Sequence, residues 1–346
     1  MRRITLTVLG VLVAALAVAE GTSAAEPENV EVNASELITP PTQQAVDKGL
    51  KFLASRQADD GSFGPGGPSR NVAICALAGM AFLSSGSTPS RGPYGAEVEK
   101  CVGFLLDHTD STGFINLEGA ATHGPMYGHG FATLFLAETY GMSRRDEVRE
   151  KLAEAVKLIV GTQNQEGGWR YQPRRHDADI SVTICQVMAL RAARNAGLHV
   201  PRETIDRCIE YVKRSQNPDG GFMYMLTGGD SAFPRSAAGV VALYSAGIYE
   251  GPELNKGLEY LMHHLPRGDA FSRETHYFYG HYYAVQAMWH AGGKHWNAWY
   301  PAIRDELVSR QHADGSWMDS ICVEYGTAMA CIVLQMPNNY LPIFQR

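Results

Sequence analysis

Apolar residues recur along this chain in a fixed rhythm. Val46, Leu50 and Leu53 stand at offsets 0, 4 and 7, and a Gln follows at offset 11. Leu152, Val156 and Ile159 repeat the spacing before Gln163, and Ile205, Ile209 and Val212 repeat it before Gln216. Such spacing makes one stripe of an amphipathic helix. Val98, Val102 and Leu105 carry the same stripe with Thr109 in place of Gln. Leu254, Leu258 and Leu261 carry it with Leu265 there and Phe271 at the following aromatic position. The last copy is looser, with Tyr300 and Leu307 on the stripe and Arg304 between them. Starts at 46, 98, 152, 205, 254 and 300 give steps of 52, 54, 53, 49 and 46 residues. A period near fifty is the mark of a repeat architecture and constrains the fold more than any local signal.

Each stripe leads into a turn and then into a second, more apolar segment. The turn reads Gln-x-x-x-Gly-x-Trp/Phe in four copies: Gln57–Gly61–Phe63, Gln163–Gly167–Trp169, Gln216–Gly220–Phe222 and Gln311–Gly315–Trp317. The second segments are 72–83, 131–140, 181–196, 237–246, 281–290 and 326–334, rich in Ala, Gly, Val and Leu and poor in charge. They predict inner helices buried on most sides, with the striped helices outside them. A helix pair of this kind must stack on neighbours to bury its face. Neither end of the array carries a polar cap, so six pairs predict a closed ring, an (α/α)6 toroid around a central cavity. In the turns, Asp/Asn-Gly supplies the bend. The Gln is suited to satisfying orphan backbone groups at neighbouring helix ends.

Composition narrows the function classes. Of 346 residues, 45% are hydrophobic and 19% charged, and the net charge of −6 leaves no basic footprint for nucleic acid. The beginning is different: Arg2-Arg3, the apolar run Ile4–Ala19 and then small residues predict a signal peptide over 1–25 and export to the periplasm or beyond. Residues 26–41 read as a linker and 42–346 as the toroid domain. An uncleaved leader would leave a peripheral membrane contact. Six cysteines match no zinc spacing. Cys75, Cys185 and Cys331 fall in apolar inner helices, Cys101 and Cys208 share one phase of outer helices, and Cys322 alone falls in a loop.

Candidate chemistry gathers where the turns lead into the inner helices. In the third unit Trp169-Arg170-Tyr171 leads to His176-Asp177-Ala178-Asp179-Ile180-Ser181. The second and fifth units share Tyr127-Gly128-His129 and Tyr279-Gly280-His281, and Tyr325-Gly326 echoes them in the sixth. The two imidazoles are expected at one level of the ring. There they either cap and pack the helix starts or face the cavity with a functional role.

The repeated turn on paired helices resembles the squalene cyclase, terpene cyclase and protein prenyltransferase β-subunit superfamily, over nearly all of 42–340. That resemblance implies the toroid fold and a hydrophobic isoprenoid ligand. Class II terpene cyclases carry Asp-x-Asp-Asp-Thr-Ala at the start of an inner helix, where this chain has Asp177-Ala178-Asp179-Ile180-Ser181-Val182. The resemblance makes Asp179 the Brønsted acid and Asp177 its partner, two carboxylates of which one keeps its proton. Tyr127, Tyr279, Tyr325 and Trp169 become ligand-binding rings together with His129 and His281, and no cofactor or metal is called for. Ile180 and Ser181 depart from the motif, and the full-length cyclases resemble two toroids in tandem. The prenyltransferase branch binds zinc through Asp-x-Cys and a later His. His281 has the matching context, but Phe233-Pro234-Arg235-Ser236-Ala237 supplies neither Asp nor Cys.

Two other classes stay open. Gly167-Gly168-Trp169-Arg170 with Arg174-Arg175 and the two aspartates loosely resembles a pectate lyase family, which implies calcium on the carboxylates and an Arg or Lys base. A ring that only binds a lipid or a protein is the third. Asp177 or Asp179 could also serve as the N-cap of the inner helix and nothing more.

Overall fold

A computed structural model describes residues 34–120, 124–267 and 274–345. The leader, most of the linker and Phe271 lie outside the described residues. Twelve α-helices and no strand occur among those described. The helices α1 (Pro40–Arg56), α3 (Gly95–Asp107), α5 (Glu147–Thr162), α7 (Arg202–Arg214), α9 (Pro252–Met262) and α11 (Gly293–Arg310) alternate with α2 (Val72–Ser84), α4 (Pro125–Thr139), α6 (Ile180–Asn195), α8 (Phe233–Ser245), α10 (Tyr277–Ala291) and α12 (Val323–Leu334). The even helices pack in the order α2, α4, α6, α8, α10, α12 and back onto α2. This is the closed (α/α)6 toroid. Nearly every residue of α2 and α12 is buried, whereas α7 buries only one face. The two layers follow from that difference in patterning.

Three features of the repeated turn fix it, two against the next unit and one against its own inner helix. The motif Gly adopts positive φ at Gly61, Gly113, Gly167, Gly220 and Gly315. A Cβ there would lie 2.2 Å from Lys100 O at Gly61 and 2.6 Å from Lys48 O at Gly315, so the turn presses directly on the next outer helix. Each Gln side-chain amide donates twice, once back to its own turn and once across. Gln163 Nε2 reaches Gly167 O at 2.8 Å and Thr204 O at 2.9 Å. Gln311 Nε2 reaches Gly315 O at 2.9 Å and Ala45 O at 2.7 Å, which joins the sixth unit to the first. The cross-unit acceptors lie in the opening turns of outer helices, where carbonyls already have helical partners. Across the seam the amide therefore adds a second bond to an occupied carbonyl, and the unpaired group it satisfies is the carbonyl of its own motif Gly. Arg56 to Glu324, at 2.9 Å, completes the closure.

The third feature is an acceptor on the inner helix for the N–H two residues after the motif Gly. Thr183 Oγ1 takes Trp169 N–H at 3.1 Å, Ser236 Oγ takes Phe222 N–H at 2.9 Å and Thr327 Oγ1 takes Trp317 N–H at 3.1 Å. In the sixth unit the stripe shifts. Ile303, fully buried, fills the place next to Arg304, whose guanidinium turns to Leu37 O and Asp305.

α2 begins at Val72, as read from sequence, and the other five inner helices begin one to six residues before their apolar segments. Pro125 and Pro234 sit in first turns, where proline's fixed φ favours helix and its missing N–H costs nothing. Their N-caps, among them Asn71, Gly124, Asp179 and Ala232, gather at one end of the ring, the mouth. At the opposite end residues 335–345 run beneath the inner helices. Leu341, Ile343 and Phe344 are buried there.

Candidate functional site

Asp179 is the residue around which the mouth is organised. It is the N-cap of α6, its Oδ1 accepts Val182 N–H at 2.9 Å, and its side chain is wholly buried. The strand-like pairing of Asp179 N–H with Trp169 O at 3.0 Å holds it in place. The second oxygen, Oδ2, faces Tyr224 OH at 3.4 Å and Arg170 Nε at 3.7 Å. Burial pushes its pKa up to about 6, against the backbone N–H groups and Arg170, which pull it down.

Asp177 does something different from sharing a proton. It is partly exposed and pairs with the Arg170 guanidinium and with His176. Partial burial raises its pKa, but the hydrogen bonds from Arg170 and His176 outweigh that and hold it below the usual range. The two carboxylates are therefore bridged by one cation, and solvent exclusion, not a second carboxylate, raises Asp179.

Tyrosines surround Asp179. Tyr171 and Tyr224 are half-buried, their hydroxyls hydrogen-bond each other, and Arg170 lies over both rings at 5.0 and 5.8 Å. Tyr127 on α4 meets Tyr279 on α10 edge-on at 6.5 Å, and Tyr279 OH donates to Ser181 O at 2.8 Å. Deeper, Phe131 on α4 meets Tyr282 on α10 at 6.0 Å, and Tyr283 OH lies 3.3 Å from Cys185 Sγ. Helices α4 and α10 stand opposite each other in the ring. These contacts thus cross the lumen, which is walled and partly filled by aromatic side chains. Tyr325 belongs to the same lumen, close enough for Cys185 and Tyr282 to act on its phenol, and burial raises its pKa.

Three of the other expected site residues lie elsewhere. His129 Nδ1 accepts Ile115 N–H at 3.1 Å, so it is the second unit's counterpart of Thr183, Ser236 and Thr327. Its ring packs on Phe114, and burial lowers its pKa to about 4, leaving it neutral. His281 packs against Tyr277, Phe233 and Trp299 and faces Glu274, with Nε2 3.1 Å from the carboxylate. Neither imidazole shares a contact with Asp179. Trp169 donates its indole N–H to Ile159 O at 2.7 Å and is buried in the seam between units. Trp317 repeats that bond to Leu307 O at 2.8 Å, which marks it as a scaffold contact.

Tyr224 was absent from the sequence-based site, and Arg170 entered it only through the lyase-like resemblance. A signal existed for Tyr224: Tyr171 and Tyr224 each stand two residues after the motif aromatic of consecutive units. All six cysteines are free thiols, five of them buried, and Cys322 is the N-cap of α12. Among the described residues no group of three or more His, Cys, Asp or Glu is placed to hold a metal ion.

Comparison with known proteins agrees with the architecture. The family model described as the prenyltransferase alpha-alpha toroid domain matches residues 37–152 and 139–311. Drimenyl diphosphate synthase of Streptomyces showdoensis is 25% identical over 180 residues, 51% of this chain and 32% of that protein. The chain thus aligns with about a third of that relative's length. Among solved structures, the type II terpene cyclase MstE from Scytonema, in complex with geranylgeranyl dihydroxybenzoate, superposes with a TM-score of 0.60. Its identity is 14%, and 87% of this chain and 98% of that one are covered. Cellobiose 2-epimerase from Spirochaeta thermophila gives 0.66 at 15% identity, covering 90% and 99%. At such identities both likenesses speak to the ring alone. Together with the closed ring and its repeated turns, the family match shows that the chain belongs to the prenyltransferase α/α-toroid family.

Proposed function

We propose that this chain binds an isoprenoid through the tyrosine-lined mouth and that Asp179 protonates it, as an acid-initiated cyclase does. The observation that carries the reading is a wholly buried carboxyl with a raised pKa at the mouth of an aromatic lumen. A proton leaving Asp179 Oδ2 adds to one alkene carbon or to an epoxide oxygen, and the adjacent carbon becomes cationic. The faces of Tyr127, Tyr279 and Tyr224 stabilise that cation. The carboxylate left behind keeps its bond from Val182 N–H and gains from Arg170. Loss of a proton from the cyclised cation ends the reaction. Tyr224, hydrogen-bonded to half-exposed Tyr171, offers a route by which solvent re-protonates Asp179. Entry of the ligand requires Tyr127 and Tyr279 to part, which binding energy must drive.

Asp179→Asn tests this. Asn caps helices as well as Asp does, so the variant should fold and lose no stability at neutral pH. Turnover of squalene, its epoxide or a geranylgeranyl compound, followed by gas chromatography and mass spectrometry, should vanish. Cyclisation that survives the substitution sinks the assignment of the acid. Absence of both binding and products with the native chain sinks the isoprenoid reading.

A sugar ligand is the second reading, favoured by the half-exposed Tyr171 and Tyr224 hydroxyls and the exposed Arg174, Arg175 and His176 at the rim. A calcium-dependent lyase is a poorer match, because Arg170 already spans the carboxylates that would hold the ion. Export belongs to the proposal as well. A mature chain starting near Glu20 or Glu26 is expected by mass spectrometry, and an intact leader contradicts cleavage.

A further inference from the structure

Two thiols meet at the first seam of the ring. Cys75 stands fourth in α2, the place that Thr183 and Ser236 hold in α6 and α8. Its Sγ–H points to Gly61 O at 3.4 Å and to Cys101 O of α3 at 3.8 Å. Gln57 Nε2 donates to Cys101 Sγ at 3.3 Å and lies 3.4 Å from Gly61 O, so both sulfurs border one small polar spot. Both side chains are wholly buried. Burial pushes the pKa of Cys75 up, helped by the Cys101 thiol hydrogen-bonding beside it.

The repeat shows how particular this pairing is. At each seam the outer-helix residue three after the start of the stripe comes up to the same level of the inner helix. Gly257 is one such residue. A Cβ there would lie 3.6 Å from the Gln216 amide, just as Cys101 lies beside the Gln57 amide. By that phase the third seam sets Cys208 against Thr183, and the fourth sets Gly257 against Ser236. No other seam has a cysteine at both places.

The second unit is also the one that gains from an added tie. Thr109 replaces its motif Gln, and the hydroxyl bonds back to Leu105 O at 2.7 Å instead of reaching the next unit. Loss of the Cys75 S–H strands nothing, because Gly61 O keeps the Gln57 amide.

We infer that Cys75 and Cys101 close to a disulfide as the chain folds, joining α2 of the first unit to α3 of the second. The oxidant is a small-molecule or protein disulfide, as an export compartment supplies. One cysteine thiolate attacks it, forming a mixed disulfide and releasing one thiol. The second thiolate then displaces the other thiol, so two electrons and two hydrogens leave with the reduced oxidant. Because both sulfurs are shut from solvent in the finished ring, the bond forms before the seam closes. The inference is independent of the ligand.

The test translates the full chain in a cell-free system buffered with oxidised and reduced glutathione. Soluble protein is denatured, treated with N-ethylmaleimide without reductant and read by peptide mass spectrometry. The oxidant is supplied, so failure here is distinct from failure of export. Four of the six cysteines should be labelled. The remaining two should appear as one cross-linked pair, Cys75 with Cys101, lighter by two hydrogens than the separate peptides. Cys208, with a threonine opposite, should be labelled throughout. Cys75→Thr and Cys101→Ala install the residues that the third unit carries at these places and so keep the fold. Each should leave the remaining thiol labelled. Dithiothreitol should lower the melting midpoint of the native chain by several degrees and leave both variants unmoved. Six labelled cysteines in the native chain overturn the inference, as does either thiol linked to any other cysteine. A linked pair whose reduction leaves the midpoint unchanged refutes its role in tying the seam.

Discussion

The first and third units meet the same local problem with different atoms. In the first, Asn71 caps α2 by accepting Ala73 N–H at 2.8 Å through a neutral amide. In the third, Asp179 caps α6 by accepting Val182 N–H at 2.9 Å through a carboxyl that is wholly buried. If capping were the whole task, Asn at 179 would perform it without the cost of hiding an ionisable group. The fourth unit goes further and starts α8 from Ala232 with no side-chain cap at all. The difference separates what the ring requires from what the third unit adds. The glycine turn and the Gln bridge are common to the first and third units, and the acid is local to the third.

The comparison can be broken first at the shared scaffold. Gly61→Ala in the first unit and Gly167→Ala in the third each force a Cβ to 2.2 Å from a backbone carbonyl of the next outer helix. Both glycines also have positive φ. Each substitution should cost on the order of 3–5 kcal/mol, read as a drop in the chemical-denaturation midpoint. Nearly equal losses are expected, and a tolerated alanine at either position would mean that the two turns are not equivalent.

The next effect isolates the acid. Asp179 has a pKa of about 6 in the folded chain against 3.8 ordinarily, so the native state binds its proton more tightly. Its contribution to stability is complete below the ordinary value and is lost as pH rises through the folded one. A shift of that size corresponds to about 3 kcal/mol. Asp179→Asn should therefore gain on the native chain as pH rises over that window, while Asn71→Ala should lose about 1 kcal/mol at every pH. Glu138, pushed up to about 7 by burial, acts in the same sense. His129, lowered to about 4, acts in the opposite one, because the unfolded chain takes up its proton first as pH falls. Melting curves of native and variant chains across this range test the sign, since the differences cancel the groups they share.

A smaller effect distinguishes the second unit. His129→Thr installs the hydroxyl that the third and sixth units use at this phase. It should keep turnover intact and cost about 1–2 kcal/mol for the imidazole packing lost against Phe114, a modest core truncation. A collapse of turnover with intact folding would restore His129 to the site.

Periodicity made the ring legible. Six stripes, four complete turns and the absence of polar ends led to a closed toroid with its layers in the right order, because burial on one face or on all faces leaves a direct imprint on composition. The site was legible only where it coincided with a family motif. Asp179 was singled out that way, but its sequence neighbour Asp177 was expected to share its proton, since nothing in Asp-Ala-Asp tells that Arg170 stands between. His129 and His281 were misplaced for a plainer reason. Tyr-Gly-His repeats at one phase, and a phase can face a seam as readily as a lumen. The glycines mark close packing, as where a Cβ at Gly128 would lie 2.8 Å from Val72. The packing of 335–345 against the inner helices was missed although Glu138, a lone acid in the apolar run Phe131–Tyr140, pointed to something buried beside it.

The smallest effect tests how the acid is tuned. Arg170 is close to both carboxylates, but its guanidinium is committed to Asp177, with Asp179 3.7 Å from Nε. Asp177 thereby draws off a charge that would otherwise favour ionised Asp179. Asp177→Asn should release Arg170 toward Asp179 and lower its pKa, so that less of it holds a proton at neutral pH. Asp177 is partly exposed, and the loss of its pair should change stability by less than about 1 kcal/mol. The readout is the pH profile of turnover, whose upper limb should move to lower pH in the variant, with the carbon-13 shift of the Asp179 carboxyl following it. Arg170→Gln should do the reverse, raising the limb, because the burial that lifts Asp179 would then act without the opposing cation. If both substitutions move the limb the same way, Asp177 acts on the ligand directly and not through Arg170.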